Sequence, residues 1–301
     1  MARLLKSSSK KKLKGKTMSL FATITVVVLA LAGILAWRAN YWYKEGRKLQ
    51  QDGYLPPNPT IFGQLLLKLV SAYMCFRFVG PVKVLNWRNA FYKGRLNIVP
   101  NHQFELDFMV VAKALPYGFR HLGARDQMST GPKAALAAYA GFFSVNTEGG
   151  KAQSGGNVVV KMLGKVLALH PRSRLMMFFQ GRLVRDNILT EEDSRTGAIR
   201  ALISARDDHG IPEEELALLP VAVKYLRDEK YRTWYHKLML KLGRKKFRSF
   251  KMHDTVTKNC RAVVNLGKPI PLADLPDDPR EAINHVRGVI QGLLDEIEAG
   301  L

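Results

Sequence analysis

A short apolar strand that runs directly into a turn with titratable side chains decides the fold. Residues 96–107 read Leu-Asn-Ile-Val-Pro-Asn-His-Gln-Phe-Glu-Leu-Asp. Residues 96–99 are typical of a buried strand, and Pro100 ends it. Ligands bind at the carboxyl ends of strands in open α/β sheets, so the turn that begins at Asn101 is a candidate functional site.

Short β-type runs alternate with helical patterns beyond this segment. The predicted strands are residues 142–145, 175–179, 218–225 and 262–266. The predicted helices are residues 134–140, 157–170, 194–206 and a last helix that begins near Pro279 with Asp278 as its N-cap. This alternation predicts the α/β class, with a mostly parallel open sheet flanked by helices.

The N-terminal region predicts a membrane anchor ahead of that sheet. The first 16 residues contain seven Lys and Arg and no acidic residue, and residues 20–37 carry no charge. About 20 apolar residues span a bilayer core, and the aromatic, basic exit at 37–44 is unlike a signal-peptide cleavage site. We expect a basic tail at 1–17, an anchoring helix at 18–37, a linker with an interfacial helix at 38–80 and one domain at 81–301.

A second apolar stretch, Ile61–Val79, is interrupted by Lys68 and Arg77. The spacing of Gln64, Lys68 and Ser71 puts these three side chains on one helical face. This pattern fits an interfacial or re-entrant helix, and it fits a core helix equally well.

Composition and charge restrict the class of function. Hydrophobic residues make up 47% of the chain and charged residues 24%, which excludes a disordered tail or a low-complexity array. Two cysteines, Cys75 and Cys260, exclude a disulfide framework and a cysteine-based zinc site. The 47 Lys and Arg against 25 Asp and Glu give a net charge of +22. A polyanionic partner is therefore expected: an anionic membrane, phosphorylated substrates or nucleic acid.

The basic run at 237–251 narrows this choice of partner. Four aromatic residues interleave with or precede its cations: Trp234, Tyr235, Phe247 and Phe250. A solvated basic face is the simpler alternative, but cations with aromatics beside a membrane anchor favour anionic membrane lipids. No nucleic-acid motif accompanies the run, so no nucleic-acid partner is expected.

His102 and Asp107 form the candidate catalytic pair. With His102 in the strand-to-helix turn and Asp107 in the first turn of the helix, the carboxylate can reach an imidazole nitrogen. The carboxylate then fixes the tautomer, and the other nitrogen is free to act as a general base. A surface ion pair or a cap gives the same spacing. The remaining six histidines lack metal-ligand spacing, so no metal site is expected.

Several segments, in this order along the chain, resemble the glycerolipid acyltransferases, the lysophosphatidic acid acyltransferase family. The His102-x4-Asp107 pair resembles the first block of that family. The later blocks of the family correspond, in the same order, to residues 141–148, 178–183, 196–198 and 219–223. The resemblance covers residues 85–270.

The resemblance implies a membrane-bound acyltransferase of phospholipid biosynthesis. Such an enzyme transfers a fatty acyl group from acyl-CoA or acyl-carrier protein to a hydroxyl of a lysophospholipid such as 1-acylglycerol 3-phosphate. It implies no cofactor beyond that co-substrate, and a catalytic domain at the cytoplasmic face of the membrane. The resemblance assigns catalysis to His102 and Asp107, and substrate contacts to Asn101, Asn146, Thr147, Gln180, Gly181, Arg182 and Arg185.

The chain departs from the family pattern mainly in the acceptor blocks. Thr147 and Leu183 stand where the family usually has Arg, and Gln180 stands where it has Glu. We expect Arg182 and Arg185 to supply replacement cations for a substrate phosphate. The alternatives are an acyltransferase for another membrane-lipid acceptor and a non-catalytic lipid-binding protein on the same fold.

Overall fold

The computed structural model describes residues 2–51, 53–125, 131–146, 156–184, 188–226 and 261–300, with side chains of the N-terminal helix from residue 23 onward. Two predicted substrate-binding residues, Thr147 and Arg185, lie outside these ranges. The basic run at 237–251, the predicted contact with membrane lipids, also lies outside them.

Eight strands within the described ranges form one mixed sheet in the order β1-β7-β6-β2-β5-β3-β4, with β8 paired to β6. Only the pairings of β6 with β7 and with β8 are antiparallel. The predicted mostly parallel α/β sheet is therefore confirmed. The strands are β1 (Val82–Leu85), β2 (Arg95–Pro100), β3 (Arg120–Ala124), β4 (Phe143–Val145), β5 (Arg174–Met176), β6 (Leu216–Leu226), β7 (Arg261–Leu266) and β8 (Ile270–Pro271).

Strand β2 is central, and all six of its residues are buried. It lies between β5 and β6, with Ile98 opposite Met176 on one side and Leu219 on the other. A parallel strand covered by helices on both faces is mostly apolar, and Leu96, Ile98 and Val99 give β2 that signal in the sequence. The buried Asn97 donates from Nδ2 to the Ala198 carbonyl at 3.0 Å.

Helices cover both faces of this sheet. Their bounds are α1 (Ala2–Lys48), α2 (Ile61–Met74), α3 (Asp107–Ala114), α4 (Pro132–Tyr139), α5 (Gly156–Ala168), α6 (Gly197–Asp207) and α7 (Pro279–Ala299). One apolar core joins α5, α6 and α7 to the sheet, and a second joins α2, α3 and α4 to it. Asp278 caps α7 by accepting the backbone N–H groups of Arg280 and Glu281, as predicted.

One predicted strand is too long. Residues 175–179 form a strand only as far as Met176, because the chain then leaves the sheet. The Phe179 carbonyl accepts the backbone N–H of Arg195 at 2.8 Å. The apolar residues that follow β5 therefore belong to a loop and not to the sheet.

Helix α1 is unbroken, and it continues past Trp37 to Lys48. The apolar side chains of its described middle part are exposed, whereas its C-terminal end docks on α4. Gly46 makes this docking possible, because a Cβ atom there would lie 2.5 Å from the backbone carbonyl carbon of Ala134.

Helix α2 turns its polar face toward the protein. Lys68 Nζ donates to two backbone carbonyls at the C-terminal end of α3, and Gln64 Nε2 donates to the Ala140 carbonyl at 3.3 Å. Ser71, the third residue of the predicted polar face, is buried. The shared face was predicted, and the structure shows that it holds α2 against α3 and α4.

The opposite face of α2 and of the π-helical turn Cys75–Val79 is apolar and exposed. The exposed side chains are Ile61, Phe62, Leu65, Leu69, Tyr73 and Phe76. The inner side of this segment also buries apolar residues in the core, namely Leu67, Cys75 and Val79. The segment therefore has apolar side chains on both its inner and its outer side, and an interfacial position stays a prediction. Two helical segments, Thr23–Lys48 and Ile61–Val79, are long and apolar enough to cross a membrane.

Candidate active site

Asn101 fixes the point at which the chain leaves β2. Its Nδ2 donates to the Val223 carbonyl at 3.0 Å, and its Oδ1 accepts the Val223 N–H at 2.6 Å. The side chain is fully buried, so these two bonds to the backbone of β6 hold the start of the turn. Asn101 therefore positions the neighbouring His102.

Asp107, the first residue of α3, is a fully buried carboxylate. Its Oδ2 accepts the backbone N–H groups of Gln103 at 2.6 Å and of Phe104 at 2.7 Å. Its Oδ1 accepts the hydroxyl of Tyr225. Burial, and the neighbouring Asp107 charge, raise the pKa of Tyr225 well above its usual value, so the phenol stays protonated and donates.

His102 lies in the turn, with Nδ1 3.1 Å from Asp107 Oδ2. Its ring stacks on Phe178, with centroids 3.7 Å apart and planes 7° from parallel. A carboxylate that only accepts assigns the proton to Nδ1, which leaves the Nε2 lone pair free. The predicted hydrogen bond between the two side chains is therefore present, and the arrangement suits a general base.

The loop after β5 clamps the backbone of His102 from two sides. Gln180 Oε1 accepts the His102 N–H at 2.6 Å, and Val184 N–H donates to the His102 carbonyl at 2.8 Å. Gly181 turns this loop with a φ of 64°, a left-handed conformation that favours glycine. Gln180 thus holds the backbone of the candidate base by a direct hydrogen bond.

His102 and Phe178 face a cavity of about 740 Å³. This volume is ordinary for a small-molecule pocket. The cavity crosses the carboxyl edge of the sheet, because its lining comes from helices on both faces. Most of the lining is apolar, including Leu66 and Val70 of α2, Met109 of α3, Leu136 of α4 and Leu163 of α5. The charged lining residues are Glu105, Lys133, Arg182, Arg195 and Arg200.

The structure brings together most of the predicted site residues that it describes. His102, Gly181 and Arg182 line the cavity, and Asn101 and Gln180 lie buried against His102. Asn146 follows β4 directly and is not among the lining residues. The contact of each of these residues with a substrate stays a prediction.

Arg182 has an acidic partner at the cavity wall. Its Nε donates to Asp193 Oδ1 at 2.6 Å, and its Nη2 lies 2.5 Å from the same oxygen. The Thr190 hydroxyl also donates to Asp193, at its other carboxylate oxygen Oδ2, over 3.0 Å. The predicted replacement cation therefore has part of its charge neutralised within the protein.

Sequence reasoning missed Arg195, Arg200 and His121, all of which line the cavity. Arg195 directly precedes the 196–198 segment, and only its position next to that segment distinguishes it from other surface arginines. His121 begins no motif, and no signal in the sequence separates it from the other histidines. These residues are brought to the site by long-range packing.

His121 is a buried residue of the cavity wall, and its imidazole ring packs among aromatic side chains. Its Nδ1 lies 3.3 Å from the Met176 carbonyl. Its ring stacks on Phe108, with centroids 5.4 Å apart. It also makes T-shaped contacts with Phe142 and Phe178, with centroid distances of 5.1 and 5.7 Å. Burial lowers the pKa of His121 to about 3, so the ring is neutral at physiological pH.

Similarity to a solved structure supports the fold described above, whereas two sequence comparisons gave no match. No protein-family model matches the sequence, and a search of curated protein sequences gave no match. The chain is structurally similar to the crystal structure of the 1-acyl-sn-glycerophosphate (LPA) acyltransferase PlsC from Thermotoga maritima. The TM-score is 0.50 at 12% identity, and the match covers 78% of this chain and 80% of that one. At this identity the likeness is one of fold.

The neutral state of His121 makes a pH-dependent prediction. An unfolded His binds a proton below about pH 6.5, whereas the folded His121 does so only near pH 3. His121 therefore adds stability above pH 6.5 that is lost as the pH falls toward 3, by up to ~1.4 kcal/mol per pH unit. We expect His121→Gln to remove this share of the pH slope. Urea unfolding of both proteins at pH 7, 5 and 4 measures it.

His285→Gln provides the matched control, because it makes the same substitution at an exposed histidine on α7 and removes no buried imidazole. Parallel stability curves for the wild type and His121→Gln would show that His121 is not held neutral by burial.

Proposed function

We propose that this protein is a membrane-bound acyltransferase that acylates a hydroxyl of a lysophospholipid such as 1-acylglycerol 3-phosphate, with acyl-CoA or acyl-carrier protein as the donor. The observation that carries the proposal is the His102–Asp107 hydrogen bond at the wall of a largely apolar cavity. The similarity of the fold to a solved LPA acyltransferase supports the reaction class.

The arrangement supports direct transfer through one general base. The acceptor oxygen attacks the thioester carbonyl carbon while His102 Nε2 takes the hydroxyl proton. An ester bond forms, the carbon–sulfur bond breaks, and the imidazolium returns the proton to the leaving thiolate. Asp107 stabilises the imidazolium, and the face of Phe178 adds a favourable cation–π contact.

The buried pair also favours catalysis over simple lipid binding. A lipid-binding protein needs the apolar cavity, but it has no need for a buried carboxylate that orients an imidazole facing that cavity. The cost of burying a charge is offset here by hydrogen bonds that also fix the His102 tautomer. An acceptor other than 1-acylglycerol 3-phosphate remains the alternative within the class, because the acceptor blocks depart from the family pattern.

His102→Ala tests the reaction. We expect transfer by the purified full-length chain to fall by ~10²–10⁴-fold, the usual contribution of a general base. His285→Ala removes an exposed histidine that does not line the cavity, and it should keep full activity. The measurement is transfer of a labelled acyl group from acyl-CoA to 1-acylglycerol 3-phosphate. Equal turnover by His102→Ala and the wild type would contradict the mechanism.

We further propose that the outward face of α2 lies in the membrane interface, with the domain on the cytoplasmic side. The polar face of α2 is used to bind α3 and α4, so the exposed apolar face is left to contact lipid. The thioester donors of the family that this chain resembles are cytoplasmic. A spanning α1 then places the seven basic residues of its N-terminus opposite the domain, which runs against the positive-inside rule. Arg38, Lys44, Arg47 and Lys48 make the domain side basic too, which weakens that orientation signal.

Three single engineered cysteines, each in a Cys75→Ser/Cys260→Ser background, test this placement. A fluorophore on Leu69→Cys should be quenched by nitroxide lipids in vesicles, because Leu69 lies on the exposed face of α2. The same fluorophore on Arg172→Cys, at the amino end of β5, should not be quenched. Equal quenching at both positions would argue against an interfacial α2.

The third cysteine reports the side of the membrane. Gly300→Cys lies at the exposed C-terminal end of α7, and an impermeant thiol reagent should reach it only after cells are permeabilised. Labelling in intact cells would place the domain outside.

A further inference from the structure

Arg195 lies over the loop that carries the stacking partner of His102. The Phe179 carbonyl accepts its backbone N–H at 2.8 Å, and a Cβ atom on Gly181 would lie 3.2 Å from its Cγ. The stem of the side chain is therefore packed against the Phe178–Gly181 turn. Its guanidinium makes no hydrogen bond or ion pair with the part of the protein that the structure describes.

The charges of the cavity lining are strongly biased toward cations. Glu105 is the acidic lining residue, against Lys133, Arg182, Arg195 and Arg200. Asp193 neutralises part of the Arg182 charge, whereas Arg200 donates to the neutral Asn157 Oδ1 at 2.7 Å. Arg195 and Arg200 thus keep their charge available to a ligand.

The cavity as a whole fits an amphipathic anion. Its apolar lining suits an acyl chain, and the reacting carbonyl of a thioester or ester carries no charge. The anionic part of such a substrate is therefore its headgroup, and a guanidinium binds phosphate oxygens with two parallel hydrogen bonds. A neutral or cationic headgroup would leave the guanidinium groups of Arg195 and Arg200 without an anionic partner in the ligand.

We propose that Arg195, assisted by Arg200, forms an anion subsite that binds a phosphate of the lipid substrate. The inference rests on the proposed function and names the headgroup chemistry of that site. Arg182, which the sequence favours for this role, also lines the cavity, but it shares its charge with Asp193. The phosphate belongs either to the acceptor headgroup or to the carrier of the acyl donor.

Steady-state kinetics separate these two sources. We expect Arg195→Ala to raise one KM by about 10–100-fold, the usual loss for a hydrogen bond to a charged group, with a smaller effect on kcat. A raised KM for 1-acylglycerol 3-phosphate assigns the phosphate to the acceptor, and a raised KM for acyl-CoA assigns it to the donor. Arg195→Lys should recover part of the loss, because it keeps the charge but not the bidentate geometry.

Arg172→Ala is the matched control, because it removes one exposed arginine at the opposite edge of the sheet. Unchanged KM values in Arg195→Ala, or the same changes in Arg172→Ala, would overturn the subsite. A loss confined to kcat would do so too.

Equilibrium binding makes the test independent of turnover. In a His102→Ala background, vesicles or micelles with 1-acylglycerol 3-phosphate or acyl-CoA are titrated against the chain with and without Arg195→Ala, and uncharged monoacylglycerol serves as the reference lipid. Weaker binding of a phosphate ligand, with unchanged binding of monoacylglycerol, supports the subsite even if no acyl transfer is found. Equal loss for charged and uncharged ligands, or no loss, overturns it.

Discussion

The buried carboxylate of Asp107 is the constraint on which the candidate site depends. Removing a carboxylate from water costs several kcal/mol unless hydrogen bonds replace its hydration. Asp107 receives four of them: two from the turn after β2, one from Tyr225 at the end of β6 and one from His102. One side chain therefore ties together a strand end, a helix start and a neighbouring strand. Its charge fixes which nitrogen of His102 carries the proton.

The rest of the cavity is arranged around that fixed imidazole. The loop after β5 supplies Phe178 against its face and Gln180 against its backbone. On one face of the sheet, α2 and α4 bring apolar side chains to the cavity, and α2 presents its own apolar surface outward. On the other face, the segment that leads into α6 brings Arg195, and α6 itself brings Arg200. The protein thus offers an apolar region, a base and a cationic region in one continuous space.

The parts of this architecture that the sequence predicts are the local ones. The strand at β2 is marked by its buried run, and the His102–Asp107 pair by its spacing across a strand-to-helix turn. The polar face of α2 is equally local. The direction in which this polar face points is not a local property, because the carbonyl groups at the C-terminal end of α3 that bind Lys68 lie far away along the chain.

Long-range contacts explain the remaining failures. The apolar residues after Met176 have the pattern of a strand, but they form a loop in which Phe178 stacks on His102. Tyr225 falls in a predicted strand, and nothing local shows that its hydroxyl meets a carboxylate 118 residues away in sequence. Arg195 and His121 enter the cavity wall for the same reason: the topology brings them there, and neither belongs to a motif.

The tautomer of His102 tests the central claim most directly, because the whole arrangement around Asp107 serves to fix it. The measurement is the ¹⁵N NMR spectrum of histidine-labelled protein at neutral pH, with the His102 signals assigned by their loss in His102→Gln. The account predicts a protonated Nδ1 and an unprotonated Nε2 for His102, and a shift of this equilibrium in Asp107→Asn. A protonated Nε2 in the wild-type protein would contradict it, since the nitrogen needed as the base would then carry the proton.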